Sequence, residues 1–276
     1  MATITAADVN TLRKQTGSGM MDCKNALVEA DGDFEKAVEA LRKKGQKVAA
    51  KRGDKDANEG LVIAKAANGG KKGVIITLNC ETDFVAKNDN FGLLANKIVE
   101  IAIQHAPSSL DNLKTLPFEG NGQTISEKII EEVGKIGEKI ELSAYEIVEG
   151  ETVFAYNHPG NKVASVVGLN KSGTEELAKD VAMQIAAMSP IAIDESEVPT
   201  DVVEKEIEIG KEQAINEGKP AELAEKIAQG KLKKFYKEST LLNQDFIKDN
   251  KKSVGQYLKE ADNELSVTAF KRQALV

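Results

Sequence analysis

The residues best suited to chemistry or recognition lie in one polar stretch, residues 78–91, where carboxylates and amides surround a large aromatic side chain. Phe84 and Val85 follow Thr82 and Asp83 there, just after a β-branched run that predicts a strand. Burial of a side chain of this size stabilises a protein by about 1.5–3 kcal/mol, so a phenylalanine among polar residues needs an explanation. Either the stretch folds back on its own core, or Phe84 binds another protein.

Side chains for covalent or metal chemistry are sparse in this sequence. The two histidines, His105 and His158, are far apart and have no cysteine or carboxylate at metal-ligand spacing. We expect His105 near a helix end and His158 in an exposed hairpin turn. No phosphate-binding loop and no nucleophile–base pattern occurs. We therefore predict no catalytic residue, no metal site, no cofactor and no enzymatic activity.

The composition is that of a folded chain with an acidic balance. The 276 residues are 41% hydrophobic, which is enough to fill a core, and the net charge is −7. The 37 basic residues are spread along the chain, which argues against direct nucleic-acid binding because phosphates need a concentrated basic field. The sequence lacks a membrane-length apolar run, and its two cysteines, Cys23 and Cys80, suit a reducing compartment. We expect a soluble, cytoplasmic protein with no membrane partner.

The amino-terminal segment predicts three short helices around a small core, with apolar residues at helical spacing. Thr5 should cap the first helix with Asp8 as its capping-box partner, and Gly17 should end it. We expect Gly45 to close the third helix. Residues 43–58, rich in charge, glycine and alanine, then predict a linker.

Met20 and Met21 are adjacent at the start of the predicted second helix. Neighbouring positions on a helix cannot both face the same small core. We therefore expect one of the two methionines to be available to a partner, because methionine suits adaptable interfaces.

From Glu59 onward the chain contains an internal repeat. Each copy, starting at Glu59 and at Glu149, has an apolar strand, a glycine turn, a second strand and a helix. The first copy carries an additional segment, residues 82–88, between its second strand and its helix. Because the second copy does without this segment, we interpret it as functional rather than purely structural; functional residues concentrate on loops held by a rigid scaffold.

The remaining segments mix helical and strand patterns. Residues 125–133 predict a helix, residues 139–147 a strand, and residues 265–270 a last strand that would complete the second sheet. Thr200 should cap a charged helix, which residues 218–220 separate from another. The narrow apolar stripes of these two helices fit either an antiparallel helical pair or an ordinary solvated helical face. The stripes consist of Val202, Val203, Ile207, Leu223, Ile227 and Leu232.

Several motifs, in order along almost the whole chain, resemble the bacterial elongation factor Ts family. The most specific is Cys80-Glu81-Thr82-Asp83-Phe84-Val85-Ala86-Lys87-Asn88. The others are residues 9–13, 16–24, 32–33, 135–137, 149–150, 218–220, 224–226 and 254–256. The resemblance implies a guanine-nucleotide exchange factor that binds the GDP complex of elongation factor Tu and performs no covalent chemistry.

In that family a Thr-Asp-Phe-Val segment enters the nucleotide domain of the GTPase and helps displace its Mg²⁺, so that GDP leaves and GTP can bind. The resemblance assigns this role to Thr82, Asp83, Phe84 and Val85. It assigns further contacts with elongation factor Tu to Arg13, Met20, Met21, Ile136, Gly137 and His158. It leaves a dimer of the heterodimer open.

The resemblance also implies an α+β fold. Its parts are a three-helix domain like ubiquitin-associated (UBA) domains, a duplicated α+β core of antiparallel hairpins with covering helices, and an inserted helical hairpin. The corresponding segments are the UBA-like domain (1–55), the first core subdomain (56–140), the second core subdomain (141–190 and 239–276) and the hairpin (191–238).

Two features depart from the family pattern. Leu142-Ser143-Ala144 stands where many members have a pair of arginines. The chain also ends at Val276, so we expect no trailing helix of the kind that packs on the partner in longer members.

Two other classes of function remain alternatives at this point. An adaptor or nascent-chain cofactor, with the core as a docking platform, would bind its partner whether or not nucleotide is present. An enzyme would require a buried polar cluster in a pocket.

Overall fold

A computed structural model describes residues 3–67, 69–119 and 122–275. Within these ranges the protein combines helices with small sheets, which agrees with the predicted α+β class. No helix in the described ranges is long and apolar enough to cross a membrane.

The described chain begins with three helices, and strands and further helices follow in mixed order. The helices are α1 (Ala6–Thr16), α2 (Met20–Glu29), α3 (Phe34–Arg52), α4 (Asp83–Ala86), α5 (Asp89–His105), α6 (Leu110–Thr115), α7 (Ile125–Ile136), α8 (Glu175–Met188), α9 (Thr200–Asn216), α10 (Ala221–Ser239) and α11 (Val254–Ala261). The strands are β1 (Glu59–Ala66), β2 (Lys72–Cys80), β3 (Ile140–Glu149), β4 (Thr152–Asn157), β5 (Val163–Leu169), β6 (Asp245–Phe246), β7 (Asp249–Ser253) and β8 (Val267–Ala274).

The described strands form three sheets, with the orders β1-β2-β3, β4-β5-β8 and β6-β7. Strands β4 and β5 are antiparallel, with Thr152 opposite Leu169 and Asn157 opposite Ala164. Strand β8 comes from the end of the chain and lies beside β5. The prediction that a last strand completes the second sheet is therefore confirmed.

Residue contacts divide the chain into two compact units. The first contains residues 1–63, 76–146 and 273–276, and the second contains residues 64–75 and 147–272. The boundaries of the domains predicted from the sequence are finer than this division and stay a prediction.

In the first unit, helices α1 to α3 pack around a small apolar core. Thr5 and Asp8 form the predicted capping box, and Gly17 ends α1 in the left-handed conformation with φ 71°. The apolar periodicity of the sequence accounts for the core, because residues at helical spacing meet on one face. Its buried members are Val9, Leu12, Cys23, Ala26, Leu27 and Ala37.

Helix α3 does not end at Gly45, as we predicted, but continues to Arg52 and takes up most of the predicted linker. The reason is that Gly45 faces another helix, α7. A Cβ on Gly45 would lie 3.1 Å from the carbonyl oxygen of Ile130, and one on Gly134 would lie 2.6 Å from the Cα of Gly45. The two glycines allow close helix packing, and Gly45 is not a helix terminator.

Helix α5 follows the additional segment of the first copy and buries a broad apolar face. The predicted placement of His105 at a helix end is confirmed, since it is the last residue of α5. The buried residues recur at intervals of three and four, as one helical face requires. They are Phe91, Leu94, Ala95, Ile98, Val99, Ile101 and Ala102.

In the second unit, α8 and α11 share an apolar core with β5 and β8. Two buried amides tie α8 to the turn after α10. Gln184 donates to the side-chain oxygen of Gln244 at 3.1 Å, and Gln244 donates to the carbonyl oxygen of Glu238 at 2.9 Å. Buried polar groups need such partners, so these bonds hold the carboxyl-terminal end of α10 against α8.

Helices α9 and α10 pack against each other through small residues. Gly210 approaches Ala228 so closely that a Cβ on Gly210 would lie 3.2 Å from the Cβ of Ala228. Leu223, which we predicted in the apolar stripe, is instead 44% exposed. The predicted cap was also wrong, because Thr200 is already helical and Pro199 takes the cap position without a side-chain hydrogen bond.

The close contact of Gly45 in α3 with Gly134 in α7 predicts that a methyl group added at Gly134 destabilises the protein. We expect Gly134→Ala to lower the free energy of unfolding by about 1–3 kcal/mol, because the new Cβ meets backbone that cannot move away. Urea unfolding followed by circular dichroism measures this change.

Gly230→Ala in α10 is the matched control, since a Cβ there meets nothing within 4 Å. It should be neutral or stabilise the protein by up to about 1 kcal/mol through helix propensity. Equal effects of the two substitutions would contradict a close contact between α3 and α7.

Candidate functional site

The segment singled out in the sequence forms a one-turn helix, α4. Thr82 caps it with an extended backbone, and its hydroxyl oxygen accepts a hydrogen bond from the backbone N–H of Val85 at 3.5 Å. The backbone N–H groups of Ala86 and Lys87 donate to the carbonyl oxygens of Thr82 and Asp83 at 3.2 and 3.0 Å. Asn88 then caps α5. The additional segment is thus a hydrogen-bonded turn between β2 and α5.

Phe84 projects from this turn into solvent. Its side chain is 83% exposed, whereas Val85 is half-buried and Ala86 is buried. The stretch therefore does not fold back to bury the ring in its own core, which was the first of the two alternatives for Phe84. A single exposed apolar side chain is common, whereas a contiguous apolar patch marks a recognition surface, so the neighbours of Phe84 decide its role.

Two carboxylates hold the residues that precede α4. Glu138 accepts hydrogen bonds from the backbone N–H of Thr82 at 3.1 Å and from its hydroxyl at 2.7 Å. Glu81 accepts one from the backbone N–H of Lys139 at 2.6 Å and one from the guanidinium of Arg52 at 3.1 Å. The end of β2 and the start of β3 are thereby joined just below the turn.

Cys80 lies beside this arrangement as a buried thiol. Burial raises its pKa to about 12, and repulsion of the thiolate by the Glu138 carboxylate contributes to the rise. The thiol donates to the carbonyl oxygen of Thr82 at 3.2 Å. A thiol that stays protonated is a poor nucleophile, so Cys80 supports the backbone and does not offer reactivity.

A cleft of about 850 Å³ opens beside α4 in the first unit. Phe84, Val85 and Ile136 line it together, so the structure brings three of the predicted contact residues to one surface. Leu93, which is 66% exposed, adds a fourth apolar side chain, and the Lys97 ammonium adds positive charge. This mixture of exposed apolar groups and charge suits a protein partner better than a small substrate.

Sequence reasoning missed Leu93 and Lys97. A signal was present for Leu93, because the residues three, four and seven positions after it, Asn96, Lys97 and Glu100, are polar, which places Leu93 on the solvent face of α5. Lys97 lies one helical turn beyond Leu93, where a side chain reaches the same surface. No sequence pattern marks Lys97 apart from other surface lysines.

Paired charges on α7 form one wall of the cleft. Lys128 and Lys135 both donate to Glu131, at 2.8 and 2.6 Å, and both donate to Glu132 at 2.9 Å. Burial alone would raise the pKa of Glu131, but hydrogen bonds from Lys128, Lys135 and Gln123 outweigh it and lower the pKa to about 2. Glu131 therefore stays ionised and keeps the wall in place.

The other predicted residues lie elsewhere on their helices and turns. Arg13 is exposed on α1, and Met20 and Met21 are 54% and 63% exposed at the start of α2. We expected one of the two methionines to be accessible, and both are, because neither belongs to the apolar core of α1 to α3. None of these three lines the cleft, as far as the described residues show.

Gly137 and His158 lie at chain reversals. Gly137 ends α7 in the left-handed conformation with φ 82°, directly before Glu138. His158 is exposed in the turn between β4 and β5 of the second unit, as predicted, with its Nδ1 3.1 Å from the hydroxyl of Tyr156.

The segment that departs from the family pattern lies in β3. Leu142 is buried, whereas Ser143 is exposed and contacts the side chain of Asn79 on the neighbouring strand. The described residues contain no group of three or more His, Cys, Asp or Glu side chains that could hold a metal ion.

Comparison with known proteins finds close relatives over the whole chain. The family model "Elongation factor TS" matches residues 81–275. The chain is 53% identical over 277 residues to Elongation factor Ts of Christiangramia forsetii and 52% identical over 277 residues to that of Flavobacterium psychrophilum, with 100% of each chain covered. This protein belongs to the elongation factor Ts family. It is also 53% identical over 272 residues to Elongation factor Ts of Amoebophilus asiaticus, with 98% of each chain covered.

The match confirms the family that the motifs indicated and makes the protein a translation elongation factor. The elongation factor Ts model begins to match at Glu81, directly before the α4 turn.

The charge pairs on α7 predict a dependence of stability on pH. Because the pKa of Glu131 is lowered from 4.5 to about 2 in the folded state, its stabilising effect is full above about pH 4.5 and declines as the pH falls toward 2. We expect the difference in free energy of unfolding between wild type and Glu131→Gln to be largest near pH 7 and to shrink by pH 3. Urea unfolding across this range measures it. A difference that stays constant from pH 7 to pH 3 would contradict the lowered pKa.

Proposed function

We propose that this protein promotes GDP release from elongation factor Tu by displacing the bound Mg²⁺, so that GTP can bind. The observation that carries the proposal is Phe84, 83% exposed on a hydrogen-bonded turn beside an apolar cleft. The family membership supports the identity of the partner. Thr82, Asp83, Phe84 and Val85 would form the segment that enters the GTPase.

The physical basis of the proposal is linkage between two ligands of the GTPase. Mg²⁺ and the loops that it orders hold the nucleotide. A protein that binds better when those loops are displaced must weaken nucleotide binding by the same factor by which nucleotide weakens its own binding. This is exchange without any covalent chemistry.

The turn suits this role because it is ordered before the partner arrives. The backbone N–H groups of Val85, Ala86 and Lys87 are bonded within the turn, and the side chains of Asp83 and Lys87 form an ion pair at 2.6 Å. A preorganised aromatic loses less conformational freedom on binding than one on a flexible loop. We propose that Phe84 supplies apolar contact while the Asp83 carboxylate competes for groups around the metal.

Phe84 alone would not account for a large acceleration, because each tenfold change in rate requires about 1.4 kcal/mol. We propose that additional contacts anchor the protein on elongation factor Tu. The candidates are Ile136 and Gly137 beside the cleft, His158 in its exposed turn, and Arg13, Met20 and Met21, which are exposed on α1 and α2.

The architecture implied by the family belongs to the same proposal. We propose that residues 1–55 form a UBA-like domain, which the three packed helices α1 to α3 support. Two three-stranded sheets support a duplicated core. In the first copy, strands β1 and β2 come before helix α5, and in the second, strands β4 and β5 come before helix α8. Helices α9 and α10 would be the inserted hairpin, and a cytoplasmic location follows from the proposed partner.

The first test removes the aromatic ring. We expect Phe84→Ala to slow the release of fluorescent GDP from elongation factor Tu roughly ten- to hundredfold, which corresponds to loss of one buried aromatic contact. Its thermal unfolding should match that of wild type, because the ring is exposed in the free protein. Stopped-flow fluorescence measures the release rate.

Ile247→Ala is a matched control, since Ile247 is an exposed apolar residue outside the cleft lining. It should leave the rate unchanged. A wild-type rate for Phe84→Ala would reject the proposed role of the turn.

A second test separates exchange from adaptor function. Linkage requires that saturating GDP with Mg²⁺ weaken binding of this protein to elongation factor Tu, by the factor by which this protein weakens GDP binding. Titration of this protein into nucleotide-free and GDP-bound elongation factor Tu measures the first factor by calorimetry, and titration of GDP in the presence and absence of this protein measures the second. Equal affinities in the two states would favour an adaptor that ignores nucleotide.

A further inference from the structure

We propose that Glu138 is a positioning residue for exchange, which acts on the partner only through Thr82 and the α4 turn. This inference rests on the proposed function, because it assigns to Glu138 the task of presenting Phe84. Glu138 lies outside the Thr-Asp-Phe-Val segment and is distant from it in sequence.

Both carboxylate oxygens of Glu138 accept hydrogen bonds from a single residue, Thr82. Oε2 accepts the backbone N–H of Thr82 at 3.1 Å, and Oε1 accepts the Thr82 hydroxyl at 2.7 Å. Hydrogen bonds to an ionised acceptor are shorter and stronger than neutral ones. The backbone and the side chain of Thr82 are therefore fixed by the same group.

Fixing the hydroxyl of Thr82 determines how α4 begins. A hydroxyl has one proton, and in Thr82 that proton points to Glu138, so the lone pairs of the oxygen remain for the backbone N–H of Val85. The Val85 N–H follows Phe84 in the chain. Glu138 thereby sets the cap of the turn from which the Phe84 ring projects.

Glu138 is itself held on rigid structure. It lies between Gly137, where α7 ends, and Lys139, whose backbone N–H donates to Glu81 at 2.6 Å. Each of the two chain segments thus supplies one carboxylate to the other: Glu138 accepts hydrogen bonds from Thr82, and Glu81 accepts one from Lys139. A residue held in this way transmits its position to the turn without large movements of its own.

The core beneath the turn does not depend on this contact. Ala86 is buried, and Asn88 caps α5 through its own side chain. Loss of the Glu138 contact should therefore loosen the start of α4 and leave the fold standing. Because the fold should remain stable, an effect of Glu138 on the position of the turn can be measured apart from an effect on folding.

The test is a double-mutant cycle read as GDP release from elongation factor Tu at saturating exchange factor. We expect Glu138→Ala to slow release about tenfold, as loss of charge-assisted hydrogen bonds predicts. In the Phe84→Ala background the same change should have a much smaller effect, because the ring is absent and only the other side chains of the turn remain to be positioned. Glu138→Gln keeps one acceptor for the Thr82 hydroxyl and should recover part of the rate.

Two controls separate positioning from folding. Glu141→Ala removes an exposed carboxylate three residues after Glu138, in β3, and should leave the rate unchanged. Thr82→Val removes the hydroxyl but keeps the shape of the side chain, and it should slow release as Glu138→Ala does. If Glu138→Ala unfolds the protein, Thr82→Val carries the same cycle.

The outcomes distinguish this inference from the proposed function. If Phe84→Ala slows release but Glu138→Ala and Thr82→Val do not, the positioning role is wrong and the proposed function stands. If Glu138→Ala slows release by the same factor with and without Phe84, Glu138 acts by another route and the inference is also wrong. If Phe84→Ala has no effect, the proposed function fails and this inference fails with it.

Discussion

The site depends on an aromatic ring that is exposed to water while the residues on both sides of it, Thr82, Asp83, Val85 and Ala86, form backbone hydrogen bonds. Leaving Phe84 exposed forgoes about 1.5–3 kcal/mol that its burial would contribute. The turn tolerates this because Thr82 is bound by Glu138 at one end and Asn88 caps α5 at the other. Order in the free protein reduces the conformational entropy lost on binding, so a single exposed ring can contribute most of its contact energy.

The geometry of the α4 turn depends on the packing of α3 against α7, which two glycines make possible. Gly45 and Gly134 let α3 lie directly on α7, and α3 can then continue to Arg52. The guanidinium of Arg52 binds Glu81, and Glu81 holds the backbone of Lys139 next to Glu138. A close helix contact in the first unit is thus connected, through named hydrogen bonds, to the residue that caps α4.

Local signals in the sequence predicted part of this structure, and long-range contacts account for most of what they missed. The capping box at Thr5 and the αL end at Gly17 need only neighbouring residues, so their predictions were confirmed. Gly45 was misread because the same residue type ends helices and lets helices touch, and only the position of α7 distinguishes the two. The repeat located the α4 segment, but the contact between Glu138 and Thr82 joins residues far apart in sequence, and no spacing pattern reveals it.

The most direct test follows the environment of residue 84 itself. The chain contains no tryptophan, so Phe84→Trp introduces a single reporter at the tip of the turn. With the wild-type complex subtracted, we expect the emission of the free protein to be that of a solvated indole, to shift to the blue when nucleotide-free elongation factor Tu is added, and to return when GDP and Mg²⁺ are supplied in excess. Emission that does not change on complex formation, or a shift that GDP does not reverse, would contradict the account.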